Sequence, residues 1–212
     1  MSEIMRLARP FRDEDLPLLG LANELAAQLG LPTNFTRGLW MQRVSSDRCL
    51  ISHETLLCPM NLIERLNLED WKPLIVTSLI YDEMVHSRKF SLSLFPTVCI
   101  FWFLPMLGFL VPFLTVPQNN PLLGLTLTVG YIPVFLLVGA YGMRAYTRRL
   151  QSAAFTADVQ SIKTVPRNAL VQTLKKIEAF GQTGSEAQEW FVRASEKVTI
   201  AKRIEHLSRQ PT

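Results

Sequence analysis

Few residues of this chain have a type and spacing that could do chemistry. Three histidines are present, His53, His86 and His206. His53 is followed by Glu54, with no second histidine at metal-binding spacing. His206 sits in the terminal stretch among charges and reads as solvated. Asp82, Glu83 and His86 lie close together; taken alone they read as a polar helix turn that continues into Arg88 and Lys89. A nucleophilic serine has no GxSxG support, and no phosphate-binding glycine loop is present. Cys49, Cys58 and Cys99 lack CxxC spacing and form no disulfide framework, so they read as reduced thiols. Trp40, Trp71 and Trp190 read as packing or interfacial residues rather than a cofactor box, and Trp102 falls in the most apolar stretch.

The elements that must position these groups are mostly helical. Leu18, Leu21, Leu25 and Leu29 recur at helical spacing over residues 13–29, and Gly30-Leu31-Pro32 stops that helix. Residues 39–43 and 48–52 read as short strands broken by Ser45-Ser46-Asp47. A helical turn follows at 61–66. The helix at 68–87 has Asn67 as its N-cap and Glu69-Asp70 in its first turn. Helices are expected again over 144–162, from Pro166 to Phe180, and over 185–208.

Between these arms, no Asp, Glu, Lys or Arg occurs from Phe90 to Met143. A membrane-spanning helix needs roughly 20 apolar residues, so this run has room for two. Pro117-Gln118-Asn119-Asn120-Pro121 is its only polar cluster and reads as the turn. The expectation is an integral membrane protein with a two-helix hairpin at 90–143, spans near 90–116 and 121–141, and flanking arms at 1–89 and 144–212. The arms carry net charges of −2 and +6, which make up the chain's +4. They read as two halves of one domain. Arg88 and Lys89 before the hairpin, and Arg144, Arg148 and Arg149 after it, put both termini on the cytoplasmic or equivalent side. The polar start, 1–14, has no cleavable signal. The expected partners are the lipid bilayer and other membrane proteins. Nucleic acid is not expected, because basic residues alternate with Glu and apolar positions. With no charged residue in the spans, no ion or proton path is expected either.

Four stretches resemble the HtpX-type integral-membrane zinc metallopeptidases, which include the CAAX prenyl protease. In that family a zinc-binding HExxH helix precedes such a hairpin, and a third ligand, a Glu in an E-x-x-x-D pattern, follows it. Leu21-Ala22-Asn23-Glu24-Leu25-Ala26-Ala27-Gln28-Leu29-Gly30-Leu31-Pro32 resembles its leading helix and turn. Leu62-Ile63-Glu64-Arg65-Leu66-Asn67-Leu68-Glu69-Asp70 resembles the entry to its zinc helix. Arg148-Arg149 with Phe155-Thr156-Ala157-Asp158 resembles the helix of the third ligand, and Arg203-Ile204-Glu205-His206-Leu207 resembles the tail. The resemblance implies that residues 77–86 and 151–158 face each other.

The ligand positions depart from the family. HExxH works because two histidines at i and i+4 hold one zinc while the Glu polarises its water. Counted without gaps, the motif falls on Thr77-Ser78-Leu79-Ile80-Tyr81, and the third ligand on Ala154. Shifted by five residues it falls on Asp82-Glu83-Met84-Val85-His86. In that register Asp82 and His86 would bind the metal and Glu83 would be the base, with zinc as cofactor only if the chain is active. Two protein ligands fall short of the three of catalytic zinc sites. The expected fold is therefore a mainly α membrane protein, its transmembrane hairpin inserted in a helical, minor-β cytoplasmic metallopeptidase-like domain. The expected function is a catalytically degenerate homologue that binds, anchors or serves as an accessory subunit of a membrane complex, with no cofactor. Two alternatives stand beside it: an active zinc endopeptidase with a DExxH site, and an unrelated structural hairpin subunit of a membrane assembly.

Overall fold

The computed structural model describes residues 8–42, 44–87, 121–180 and 199–209. The described residues are mostly helical, with one small sheet. The elements in order are β1 (Ala8–Pro10), a one-turn helix (Asp13–Asp15), α1 (Leu16–Gln28), β2 (Arg37–Met41), β3 (Leu50–Ser52), β4 (Thr55–Pro59), a second one-turn helix (Met60–Leu62), α2 (Leu68–His86), α3 (Pro121–Ser161), α4 (Arg167–Ala179) and α5 (Ile200–Arg209). The chain forms two compact units, one of Met1–Val85 with Gln151–Thr212 and one of His86–Leu150.

In the first unit, α1 starts where Asp15 closes its preceding turn. The Asp15 carboxylate accepts from the Arg12 amide at 2.9 Å and the Trp40 indole at 3.0 Å. Burial pushes this carboxyl up, but those bonds and the Arg9 guanidinium outweigh it and hold it below its ordinary value. The helix ends at Gly30, whose φ of +70° is the left-handed conformation that glycine adopts at least cost. Leu31 then donates back to the Ala26 carbonyl at 2.9 Å.

The sheet has the order β1-β2-β4-β3. β1 runs antiparallel to β2, β2 runs parallel to β4, and β3–β4 is a hairpin turned at His53, whose φ is +52°. Gly38 is required where β2 passes Phe11, because a Cβ there would lie 2.1 Å from the ring. The Phe11 ring packs at 4.9 Å on Trp40, which meets Trp71 of α2 edge-on at 5.6 Å.

α2 is the central element. Trp71 and every residue from Pro73 to Ile80 are buried, so the helix is enclosed on all sides over two turns. Leu18, Leu25, Leu56 and Leu62 pack around it, as do Leu170, Leu174, Ile177 and Leu207 from the C-terminal helices.

The membrane-protein expectation is corrected here. Among the described residues, no helix is long and apolar enough to cross a membrane. The expected second span, 121–141, is not a helix of its own. It opens α3, which continues without interruption to Ser161 and carries Arg144, Arg148, Arg149 and Asp158. Lack of charge is a property of a stretch of sequence, whereas crossing requires a whole helix with apolar surface along its length. The transmembrane part of the fold class, the membrane keywords and the integral-membrane location with cytoplasmic-side termini fall with that correction. The expected first span, 90–116, and residues 117–120 of the turn lie outside the described residues, as do Arg43, Cys99, Trp102, Trp190 and the start of the helix expected at 185–208.

Candidate functional site

The most enclosed polar cluster of the first unit lies where α2, α3 and α5 meet the segment between β2 and β3. Arg203 of α5 is 1% exposed, Asp158 of α3 is 0% and Asp47 is 3%. Ions so deep require partners, because desolvating each costs several kcal/mol. Arg203 meets Asp158 in a two-pronged pair, Nε donating to Oδ2 at 2.8 Å and Nη2 to Oδ1. Its Nη1 donates to the Asp47 carbonyl at 2.8 Å and carboxylate at 3.2 Å. Burial pulls the Arg203 guanidinium down, but the bonds and charge of Asp158, then of Asp47, more than compensate and hold it above its ordinary value. Arg48 adds a second cation, 3.4 Å from the Asp47 carboxylate, with its guanidinium 4.4 Å above the ring of Tyr81. Two arginines and two aspartates thus balance.

Next to this knot is a small cavity of about 10 Å³, on the order of the room one water needs. It is lined by Arg48, Thr77, Ser78, Tyr81, Ala154 and Arg203. Thr77, Ser78 and Tyr81 come from consecutive turns of α2, and Ala154 comes from one turn before Asp158 on α3. The two hydroxyls of α2 are bound to their own helix: Thr77 donates to the Pro73 carbonyl at 2.9 Å and Ser78 to that of Leu74 at 2.7 Å. Ser78 also accepts the amide of Cys49 at 2.9 Å, so its hydroxyl is used both as donor and as acceptor. A serine held this way, with no histidine in the cavity, is a poor nucleophile.

The structure therefore brings together the residues of the ungapped alignment, Thr77, Ser78, Tyr81 and Ala154. It does not bring Asp82, Glu83 and His86 to the cavity. Those three occupy the end of α2, where Asp82 is half-buried and Glu83 and His86 are exposed. Among the described residues, no group of three or more His, Cys, Asp and Glu side chains could hold a metal ion. Sequence reasoning missed Asp47 and Arg48, which it took for a strand break and a strand start. The signal available was a charged pair between two apolar strands, which is common in exposed loops and so carries little weight.

Comparison with known proteins finds no matching family model, no matching curated protein and no matching solved structure.

Proposed function

We propose that this chain is a catalytically degenerate relative of the HtpX-type zinc metallopeptidases that acts by binding, as an accessory or chaperone-like subunit. The observation that carries this reading is the lining of one cavity by Thr77, Ser78, Tyr81 and Ala154. By ungapped resemblance these are the positions of the two histidines, the general base and the third ligand. A hydroxyl bound to its own helix, a phenol under a guanidinium and a methyl group stand there instead, and none supplies the ligand set of a catalytic zinc site. Arg48 brings its positive charge to the ring of Tyr81, within the same lining. The aspartate that follows the third ligand in the family corresponds to Asp158, and the tail of the resemblance supplies its partner Arg203.

Rebuilding the site tests this. The combined variant Thr77→His, Ser78→Glu, Tyr81→His and Ala154→Glu, with Arg48→Ala to remove the opposing charge, is expected to bind one zinc per chain by elemental analysis after desalting. A folded variant, judged by circular dichroism, that binds no zinc would overturn the reading. So would unaltered protein that carries stoichiometric zinc and loses a peptidase activity on Glu83→Gln.

A further inference from the structure

The two described cysteines face each other across a hairpin. Leu50 pairs with Leu57, Ile51 with Leu56 and Ser52 with Thr55 in the antiparallel β3–β4 register. Continued by one residue, that register sets Cys49 opposite Cys58, and their Sγ atoms are 3.7 Å apart. The Cys49 amide donates to Ser78 rather than across the hairpin, as expected at a pair that exchanges no backbone bonds. The Cα atoms of such pairs lie about 4.5 Å apart, inside the disulfide range of about 4.4–6.8 Å. Both thiols are free, and they are unequally enclosed, Cys49 at 3% exposure and Cys58 at 0%.

We propose that Cys49 and Cys58 form a reversible redox pair that a peroxide converts to a disulfide, and that the change is transmitted to the candidate site through the amide of Cys49. A sulfur lone pair of Cys49, the less enclosed thiol, attacks one oxygen of hydrogen peroxide. The O–O bond breaks, and the departing hydroxide takes the thiol proton as water, leaving a sulfenic acid. The Cys58 sulfur then attacks the Cys49 sulfur. The S–O bond breaks, and the hydroxide leaves with the Cys58 proton as a second water. The two thiols are oxidised by two electrons and the peroxide is reduced by two. Burial, together with the Cys49 sulfur beside it, pushes the Cys58 thiol well above its ordinary range, which suits it to resolve rather than to react first. Drawing the sulfurs from 3.7 Å to a bond of about 2.05 Å pulls Cys49 towards β4. Its amide is the group held by Ser78, and its neighbour Arg48 lines the cavity. The disulfide chemistry does not depend on the metallopeptidase reading of that cavity.

The test uses the full chain with Cys99→Ser, so that only this pair is present. Native protein treated with hydrogen peroxide is expected to lose two hydrogens by intact mass. A Cys49–Cys58 cross-linked peptide should appear and be reversed by dithiothreitol. Tryptophan fluorescence should fall with the same time course, because Trp40 lies opposite Cys58 in the β2–β4 register. With Cys58→Ala added, dimedone should label Cys49; with Cys49→Ala added instead, Cys58 should stay a thiol. Separate sulfinic or sulfonic acids on the two cysteines, or two thiols still open to alkylation after unfolding, would overturn the proposal. A cross-link that leaves the fluorescence unchanged would overturn its transmission to the fold around it.

Discussion

Two adjacent turns of α2 differ in opposite ways. Thr77 to Tyr81 carries no residue of the metal-binding type, yet it faces the cavity, and Thr77, Ser78 and Ile80 are buried. Asp82 to His86 carries an acid, a base candidate and an imidazole, yet Glu83 and His86 point away into solvent. Residue chemistry alone favours the second turn; position favours the first. An ancestral site is better recognised by where a helix is enclosed and what faces it than by the residues that happen to retain polar chemistry.

The largest effect that would break this comparison is at the knot beside the first turn. Arg203→Ala leaves Asp158 buried and unpaired, and is expected to cost about 3–5 kcal/mol in urea unfolding. A loss under ~1 kcal/mol would mean that this corner opens to water and is no enclosed site. Ser78→Ala comes next. It strips the Cys49 amide of its acceptor, an expected loss of about 1–3 kcal/mol by the same measurement.

Away from both turns, Asp15→Asn is expected to cost about 1 kcal/mol at neutral pH, and the cost should depend on pH. The folded carboxyl lies below its ordinary value of 3.8. Its stabilisation is therefore present above that value and is lost as pH falls through the folded one. Unfolding curves of the variant and the parent should converge in acid, and parallel curves would contradict the assignment. The smallest effect belongs to the second turn. Glu83→Gln and His86→Ala are expected to change stability by less than about 0.5 kcal/mol each and to leave any bound zinc unchanged. A loss of metal or activity with either would invert the comparison.

Much of the framework was legible in the sequence because it is written in local signals. Leucine spacing and Gly30 defined α1, Asn67 and the acids after it marked the start of α2, and Pro166 preceded α4. β1 and β4 were not read. β4, Thr-Leu-Leu-Cys-Pro, is enclosed between two neighbours and so lacks the alternation that reveals a half-exposed strand. β1 has three residues, too few for any period. The membrane expectation failed for a different reason: an uncharged run shows what a segment lacks, while the helix containing it extends to residues of another kind. In the site, the cavity was legible only by counting along a resemblance. The knot was not, because Asp47 and Arg203 are brought together by tertiary folding and not by any local pattern.

That long-range pairing has a consequence for the order in which the protein can be made. Asp47 and Arg203 are 156 residues apart. At roughly 5–20 residues per second, ribosomes need on the order of 8–30 s to travel that distance. During that interval the sheet and α2 are complete in sequence, but the cation that neutralises their deepest acids has not yet been synthesised. The N-terminal half must therefore wait, solvated and unsealed, for the arrival of α5. Closure of this corner is a late event, and chains halted before Arg203 should be the ones that proteases and chaperones capture.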